Sequence, residues 1–294
     1  MITPASSITH QHLLSVVHTE LTRRGPKWAN QPLRLLDAGC GDGRLIGYLQ
    51  ENLPLLQPDV SIEIHGFDVG DHGVQYHDFF HQTLENLNQR YPSIPWNERL
   101  QLISQTTVWP YADGFFDIIL SNQVLEHVDT PDHFFGQVYR TLRPGGIAVH
   151  LFPLKHYIYE GHLHLPLVHR IANYDFLRAY IRLLSRLRLG KFPTHRRVTG
   201  ISLADYVQKH ADYMHHLTHY LSQRQVLALG KRHHLRSCFR YTTEFYSSKL
   251  LAMLGYKPCY TYRTIRSLKS DWLAVFLLRY LSSVTLFLEK ENQH

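Results

Sequence analysis

The sequence is poor in cysteine and shows no export signal. Its three cysteines, Cys40, Cys238 and Cys259, are widely spaced and odd in number. They therefore build neither a disulfide framework nor a four-cysteine zinc site. The first residues lack a basic start followed by an apolar run of signal-peptide length. We therefore expect a protein of a reducing compartment, the cytoplasm.

Acidic residues are scarce in one segment of the 294-residue chain. Between Lys155 and Arg240 there are 15 Lys and Arg but four acids, a net charge of +11. The remainder holds 31−15=16 bases and 24−4=20 acids, a net charge of −4. The segment also contains 11 of the 22 histidines. This composition indicates a basic unit placed within a mildly acidic frame.

Before the basic segment, short apolar runs alternate with polar helical stretches, as in βα units around a parallel sheet. The pattern predicts helices at Arg44–Leu53, Asp78–Arg90 and Asp132–Leu142. It predicts strands at Leu33–Ala38, Ser61–Asp68, Leu100–Ile103, Phe116–Ser121 and Gly146–Phe152.

The basic segment reads as amphipathic helices, and strands return only at the C-terminal end. Helices are predicted at Asn173–Leu189, Leu203–Leu221 and Thr243–Leu254, and a loop at Gly190–Pro193. Two further strands are predicted at Pro258–Arg263 and Ser283–Glu289. The basic segment is thus expected to interrupt the sheet before its completion.

The apolar run Trp272–Leu288 has 17 residues, the lower limit for crossing a bilayer, and Arg279 interrupts it. A helix at Asp271–Leu281 followed by a strand accounts for the same residues without a membrane span.

A glycine-rich turn follows the first predicted strand, in the stretch LLDAGCGDGR at residues 35–44. Glycines at 39, 41 and 43 permit a positive φ and let the backbone approach a ligand closely. A dinucleotide-binding loop needs a third small residue where Arg44 stands, so NAD is disfavoured. Asp37 and Asp42 favour a cationic ligand over a pyrophosphate.

A second acid, Asp68, ends the second predicted strand about 25 residues later. A carboxylate at this place can accept both hydroxyls of a ribose. The alternative is a local turn or helix cap. Its spacing from the glycine turn favours the ribose interpretation.

Four blocks in order resemble class I S-adenosylmethionine-dependent methyltransferases, most closely the small-molecule branch typified by ubiquinone/menaquinone methyltransferase-like (type 11) domains. They are LLDAGCGDG, the acid in GFD, WPYADGFFDIILSNQVLEHV at 109–128 and LRPGG at 142–146. The resemblance covers roughly residues 30–153, with the C-terminal strands completing the sheet.

The resemblance implies an α/β fold with a Rossmann-like, seven-stranded sheet. This sheet is mostly parallel with one antiparallel C-terminal strand, has helices on both faces and carries a helical insertion after strand 5. We expect residues 1–154 to form the N-terminal part of this domain and 241–294 to complete it. Residues 155–240 would be a basic helical insertion that covers the cleft and contacts the acceptor.

The resemblance also implies S-adenosyl-L-methionine as the cofactor. Its binding residues would be Asp37, Gly39, Gly41, Gly43, Asp68, Gln105, Thr106 and Asn122. Related proteins often carry an acid where Gln105 and Thr106 stand, so the adenine contacts here rest on an amide side chain.

Methyl transfer to a hydroxyl or amine needs alignment and removal of a proton. The candidate catalytic residues are His127, His156, Tyr157, Glu160, His162 and His164. The structural alternatives are that His127 supports the cleft, and that the others pack the insertion onto the core. His162 and His164, or His215 and His219, have metal-ligand spacing, but no Cys or paired acid completes a metal site.

The basic segment permits three partners: an anionic small acceptor, an anionic membrane surface or nucleic acid. Solvated helix faces account for many of these charges equally well. Nucleic acid is disfavoured, because SNQV stands after the fourth strand where many base-amino methyltransferases carry an Asn/Asp-Pro-Pro-aromatic loop.

We expect a methyltransferase acting on a small molecule, with O-methylation favoured and a sugar or other anionic metabolite as the acceptor. One alternative is a peripheral membrane methyltransferase acting on a lipid-linked acceptor. Another is a catalytically silent S-adenosylmethionine-binding protein that recruits a partner.

Overall fold

The computed structural model describes residues 2–25, 32–71, 78–262 and 268–291. The strands are β1 Leu33–Ala38, β2 Ile62–Val69, β3 Leu100–Ile103, β4 Phe116–Asn122, β5 Leu142–Pro153, β6 Tyr159–Glu160, β7 Leu165–Pro166, β8 Leu235–Cys238 and β9 Ser283–Lys290. The helices are α1 Ile8–Arg24, α2 Arg44–Leu56, α3 Phe79–Arg90, α4 Trp96–Arg99, α5 Pro131–Thr141, α6 Tyr174–Arg186, α7 Phe192–Thr199, α8 Leu203–His216, α9 Gln223–Arg232, α10 Thr242–Met253 and α11 Leu268–Leu278.

Seven strands form one sheet in the order β3-β2-β1-β4-β5-β9-β8. Strands β1 to β5 pair in parallel, and β9 runs antiparallel to both β5 and β8. Six strands therefore share one direction and β9 opposes them. This arrangement confirms the predicted seven-stranded Rossmann-like fold with an antiparallel C-terminal strand.

Helices cover both faces of this sheet because its central strands are apolar on both sides. Alternate residues of β1 enter two different cores: Leu35 packs with α1 and α2, and Leu36 packs with α5 and α9. This double burial holds β1 in the middle of the sheet. It therefore fixes where the turn after β1 emerges, at the carboxyl edge of the parallel strands.

Residues 155–221 leave the sheet and form a smaller unit, here called the cap. The cap consists of the β6–β7 hairpin, α6, α7 and α8, and it has its own apolar core. Leu163 of the hairpin, Leu177 of α6 and Tyr206 of α8 are among the fully buried residues of that core. The cap is therefore a packed body that covers one part of the frame.

The cap is shorter than the expected insertion 155–240. Helix α9 packs on the sheet side, and β8 pairs with β9 as the edge strand of the main sheet. The part of 155–240 that lies outside the sheet therefore ends before β8. The helix predicted at Leu203–Leu221 is shorter in the structure and ends at His216. The loop predicted at 190–193 overlaps the start of α7, because Phe192 begins this helix and Pro193 lies in its first turn.

The predicted strand Pro258–Arg263 is wrong for residues 258–262, which form no strand; Arg263 lies outside the described residues. The aromatic residue Tyr262 is buried for a different reason. Its backbone N–H donates to Thr19 Oγ1, and its hydroxyl contacts His12 and Ser248. The alternating pattern there reflects packing against α1 and α10, and the seventh strand is β8 instead.

The C-terminal apolar run is divided as the sequence suggested, into α11 and β9. Within the described ranges, no helix combines the length and apolar character needed to cross a bilayer. Val275 of α11 is buried in the core that α5 and α9 share.

Candidate active site

The turn after β1 brings backbone to the carboxyl edge of the sheet. Gly39, Gly41 and Gly43 all have positive φ, at 80°, 52° and 72°. A Cβ at Gly39 would lie 2.6 Å from Val124 Cγ2, so only glycine fits there without displacing that side chain. The backbone N–H groups of Gly39 and Cys40 donate to the carbonyl of Phe67. The loop is thereby held against the end of β2.

Asp68, the next-to-last residue of β2, fastens the same loop. Its Oδ2 accepts the Gly41 N–H over 2.6 Å, and its Oδ1 accepts the Val69 N–H over 2.8 Å. The side chain is buried, yet it lines the cavity described below. A carboxylate oxygen has more than one lone pair. Asp68 can therefore accept ligand hydroxyls as well as these amides.

Negative charge accumulates around the loop. Asp37 is 1% exposed, and its Oδ1 has no hydrogen-bond partner among the described residues. Burial raises the pKa of Asp37 well above its ordinary value, and the charges of Asp68 and Asp42 raise it further. A cationic ligand group beside these carboxylates would relieve this repulsion. The electrostatics thus fit a ligand that carries a positive charge.

A cavity of about 400 Å³ opens between this loop and the cap. Its size lies within the range of small-molecule sites. It is lined by Gly39, Gly41, Phe67, Asp68, Val69, Ile103, Gln105, Trp109, Asn122, Gln123, Val124, His127, Val128, Asp129, Thr130, His133, Phe134, His162 and Tyr213.

Five of the eight expected cofactor-binding residues line this cavity: Gly39, Gly41, Asp68, Gln105 and Asn122. The side-chain oxygens Oε1 of Gln105 and Oδ1 of Asn122 are buried without a partner in the described part of the chain. Such oxygens are costly unless a ligand or water satisfies them. These two are therefore placed to accept hydrogen bonds from a bound molecule.

The other three expected cofactor-binding residues lie outside the lining. Asp37 is buried beneath the loop. Gly43 is the N-cap of α2 and packs against α3, where a Cβ would meet Leu87 and Thr83 at 2.9 and 3.0 Å. Thr106 is exposed beside the cavity. Asp37 can act through the loop or through water, and contacts of Gly43 and Thr106 with a cofactor stay a prediction.

Three rings form the opposite wall of the cavity: His127 from the turn after β4, His162 from the β6–β7 hairpin and Tyr213 from α8. The ring centres are 5.4 Å apart for the two histidines and 5.2 Å apart for His162 and Tyr213. Nδ1 of His127 lies 2.7 Å from the Leu217 carbonyl, and the Tyr213 hydroxyl lies 3.4 Å from Nε2. Since a carbonyl only accepts, Nδ1 of His127 carries the proton and Nε2 already faces a partner.

His162 is oriented by the buried carboxylate of Glu160. Its Nδ1 donates to Glu160 Oε1 over 2.6 Å, which leaves Nε2 as the basic nitrogen of the neutral ring. Burial raises the pKa of Glu160, but hydrogen bonds from the His162 ring and nearby backbone amides outweigh it, and the pKa falls to about 2. Glu160 is therefore ionised at neutral pH and fixes the tautomer of His162.

Further donors complete the surroundings of Glu160. Tyr157 and Tyr220 donate their hydroxyls to Oε1 at 3.2 and 3.1 Å, and the Leu163 N–H donates to Oε2 at 2.6 Å. Tyr157 thus supports Glu160 behind the wall and does not line the cavity. The pKa of Tyr157 is raised by burial and by the Glu160 charge, so its hydroxyl stays protonated.

Two expected catalytic residues lie away from the cavity. The His156 ring contacts Tyr280, with ring centres 6.2 Å apart. His164 is exposed on the hairpin and lies against Tyr159, with ring centres 5.9 Å apart. Of the six candidates, the structure brings His127 and His162 to the cavity, with Glu160 and Tyr157 behind His162.

Glu126 is a buried acid that sequence reasoning did not single out as a site residue. It is fully buried, and neither carboxylate oxygen has a hydrogen-bond partner among the described residues. Burial raises its pKa to about 8, and the charge of Glu160 adds to the shift. Glu126 is therefore mainly protonated at neutral pH.

Several lining residues were not expected from the sequence. Trp109, Asp129, His133 and Phe134 come from segments that reach the same carboxyl edge, where open α/β sheets bind ligands. That rule could have indicated Asp129 and His133, which follow β4. Tyr213 lies on α8 of the cap, and no local signal indicates which residue of that helix reaches the cavity.

A metal site is not formed by the histidines considered above. Within residues 2–25, 32–71, 78–262 and 268–291, no group of three His, Cys, Asp or Glu side chains is close enough to hold an ion. His219 instead pairs with Asp129, with Nε2 2.6 Å from Oδ1. Cys40 is buried, and burial raises the pKa of its thiol, so it is a packed residue.

The sequence model of the methyltransferase domain family matches residues 10–239. This match spans the frame from α1 through β8 and includes the whole cap. It confirms the methyltransferase resemblance, with S-adenosylmethionine as the family's methyl donor.

Curated relatives match shorter stretches. An uncharacterized methyltransferase of Mycolicibacterium gilvum is 37% identical over 76 residues, which are 26% of this chain and 29% of the relative. The biotin biosynthesis bifunctional protein BioHC of Teredinibacter turnerae is 27% identical over 114 residues, or 38% of this chain and 18% of the relative. The matched part of the chain therefore spans less than a third of either relative.

Solved structures are similar along most of the chain. The YcgJ protein of Bacillus subtilis is 15% identical with a TM-score of 0.47, covering 97% of this chain and 99% of that one. The phosphoethanolamine N-methyltransferase 2 of Haemonchus contortus is 15% identical with a TM-score of 0.47, covering 96% of this chain and 53% of that one.

Proposed function

Because the chain belongs to the methyltransferase domain family, we propose that it moves the methyl group of S-adenosylmethionine to a hydroxyl of a small, uncharged acceptor, with His162 as proton acceptor. The observation that carries the proposal is the single cavity that joins the glycine loop to the Glu160–His162 pair. The proposed cofactor side and acceptor side thereby line one cavity.

The cofactor side is formed by the glycine loop and β2. S-adenosylmethionine, when bound, supplies a methyl group already activated on a sulfonium. Asp68 would accept the ribose hydroxyls, and the amide of Gln105 would contact the adenine. In this proposal Oδ1 of Asn122, which lines the cavity, accepts a hydrogen bond from the cationic part of the ligand, and the charge of buried Asp37 acts on that part from beneath the loop.

The acceptor side is formed by the wall of His127, His162 and Tyr213. A hydroxyl becomes a competent nucleophile when a base takes its proton as the new bond forms. His162 suits this role because Glu160 holds its tautomer and stabilises the imidazolium that results. His127 is bound on both ring nitrogens, so we assign it to shaping the wall.

The cavity favours an uncharged acceptor over the anionic metabolite that the sequence suggested. Among its described lining residues there is no lysine or arginine, although the cap as a whole is basic. Seven of them, Phe67, Val69, Ile103, Trp109, Val124, Val128 and Phe134, are apolar. An anionic group there would meet Asp68 and Asp129 without a fixed cation to balance it.

Calorimetric titration with S-adenosylmethionine and S-adenosylhomocysteine tests the cofactor part of the proposal. We expect saturable binding of one ligand per chain. Absence of binding at millimolar ligand would contradict it.

Transfer from methyl-labelled S-adenosylmethionine to a panel of alcohols, phenols, carboxylic acids and amines tests the acceptor part. We expect label on uncharged hydroxyl compounds. Transfer to amines or to charged acceptors alone would refute this part. Binding without transfer would favour the catalytically silent alternative.

The His162→Gln variant tests the proton acceptor. We expect kcat to fall by about 10²–10⁴-fold, the usual contribution of a general base, with cofactor affinity retained. His164→Asn is the matched control, because His164 lies on the same hairpin but outside the cavity. Equal activity of the two variants would remove His162 from the chemistry.

A further inference from the structure

Helix α6 of the cap presents apolar side chains to solvent. Phe176, Leu183 and Leu187 are 60%, 56% and 61% exposed. Their spacing of seven and then four residues places them in one stripe along α6 and its C-cap, Leu187. The opposite face of α6 already buries Leu177 and Ile181 in the cap core. The stripe is therefore additional to the packing that holds the helix in place.

A row of arginines accompanies this stripe. Arg182 and Arg186 are exposed one helical turn apart on α6, and Arg188 follows at the end of the helix. Residues 174–204 contain seven Lys and Arg against one acid, Asp175 in the first turn of α6. We call the exposed side chains of Phe176, Leu183, Leu187, Arg182, Arg186 and Arg188 the cap face. It combines exposed apolar side chains with a net positive charge, because the arginines outnumber the one acid of α6.

The cap face adjoins the hairpin that carries His162. The Tyr180 hydroxyl of α6 donates to the carbonyl of Pro166 over 2.8 Å, and Leu167 N–H donates to the Ile158 carbonyl over 2.7 Å. Ile158 and Leu167 are themselves 48% and 40% exposed. Exposed apolar side chains thus also flank both strands of the hairpin that Tyr180 of α6 contacts.

We propose that the cap face binds the surface of a membrane that contains anionic lipids. Arginines near such a surface are attracted to its headgroups, while apolar side chains on the same helix enter the boundary with the acyl chains. Nucleic acid would engage the arginines but would leave Phe176, Leu183 and Leu187 without an apolar environment. A symmetric dimer through this face would set arginines against arginines.

Sedimentation with vesicles tests this proposal on the full chain. We expect it to bind vesicles of phosphatidylcholine with about 30% phosphatidylserine at low ionic strength, and to stay in solution with pure phosphatidylcholine. The double variant Arg182→Ser and Arg186→Ser should bind about 25-fold more weakly, about fivefold for each arginine. Leu187→Asp should lower binding by at least about tenfold.

Matched controls separate a specific face from general attraction. Lys231→Ser with Arg236→Ser makes the same change of charge at exposed sites outside the cap, and Leu55→Asp makes the same substitution at a leucine 53% exposed on α2. Both controls should bind almost as well as the parent chain. All these side chains are exposed, so thermal unfolding should be nearly unchanged.

Three results would overturn the proposal. The first is a parent chain that does not sediment with anionic vesicles at low salt. The second is equal loss of binding in the cap variants and their controls. The third is a dimer, detected by light scattering, that Leu187→Asp dissociates, because a second copy would then cover this face.

Discussion

Replacing Asp68 by alanine removes the carboxylate that joins the glycine loop to the cavity. In the structure Asp68 accepts a hydrogen bond from the Gly41 amide over 2.6 Å, and its side chain also lines the cavity. The alanine variant loses both functions. Its methyl group is smaller than the carboxylate, so the change introduces no steric conflict.

The size of the effect follows from the bonds that are lost. A hydrogen bond to a charged group contributes about 1.5–3 kcal/mol. Loss of the ribose contacts should therefore weaken S-adenosylhomocysteine binding by that amount, or roughly 10- to 150-fold in Kd. Loosening of the loop at Gly41 adds to this loss, so we expect Kd to rise by at least about 10-fold.

Calorimetric titration of Asp68→Ala against the parent chain measures this change. Asp42→Ala is the matched control: it removes the same charge from the same loop, but Asp42 is exposed and forms its ion pair with exposed Arg44, over 3.0 Å. Exposed pairs contribute about 0–1 kcal/mol, so Asp42→Ala should change Kd by less than about fivefold. Unchanged affinity in folded Asp68→Ala, or an equal loss in both variants, would refute the reasoning.

The other predictions concern the frame of the site. Asp37→Asn should raise the Tm of the ligand-free protein at neutral pH, since it removes a buried acid whose pKa is raised. Calorimetry should show weaker binding of S-adenosylmethionine to this variant, because the negative charge that favours the cationic ligand is lost. Because the pKa of Glu126 is raised from 4.5 to about 8, the free energy of unfolding should fall as pH rises between these values, by a few kcal/mol at most. The Glu126→Gln variant should not show this fall when denaturant unfolding is measured across the same pH range. Gly39→Ala should lower both Tm and cofactor affinity, because its Cβ would lie 2.6 Å from Val124 Cγ2 at a φ of 80°; an unchanged Tm would contradict the packing described here.

The frame was predictable because its signals are local. The strand Leu33–Ala38 is apolar throughout apart from Arg34 and Asp37, and the glycines after it mark the turn directly. Both bounds of that strand and of Leu100–Ile103 agree with the structure. The position of Asp68 at the carboxyl edge was predictable for the same reason, since the strand end and the acid are adjacent in sequence.

The rest depends on contacts between distant segments. Strand β8 is four residues long with the sequence LRSC, and pairing with β9 rather than any internal pattern makes it a strand. The place of Tyr213 in the cavity depends on how α8 packs within the cap. Likewise, His162 differs from exposed His164 only through the fold of the hairpin and the buried position of Glu160.

A crystal structure of the chain with S-adenosylhomocysteine bound tests the central claim most directly. We predict that the ribose contacts Asp68 and that the sulfur faces the wall formed by His127, His162 and Tyr213. Ligand bound elsewhere, or a sulfur directed away from His162, would contradict the account of one cavity that joins the methyl donor to its proton acceptor.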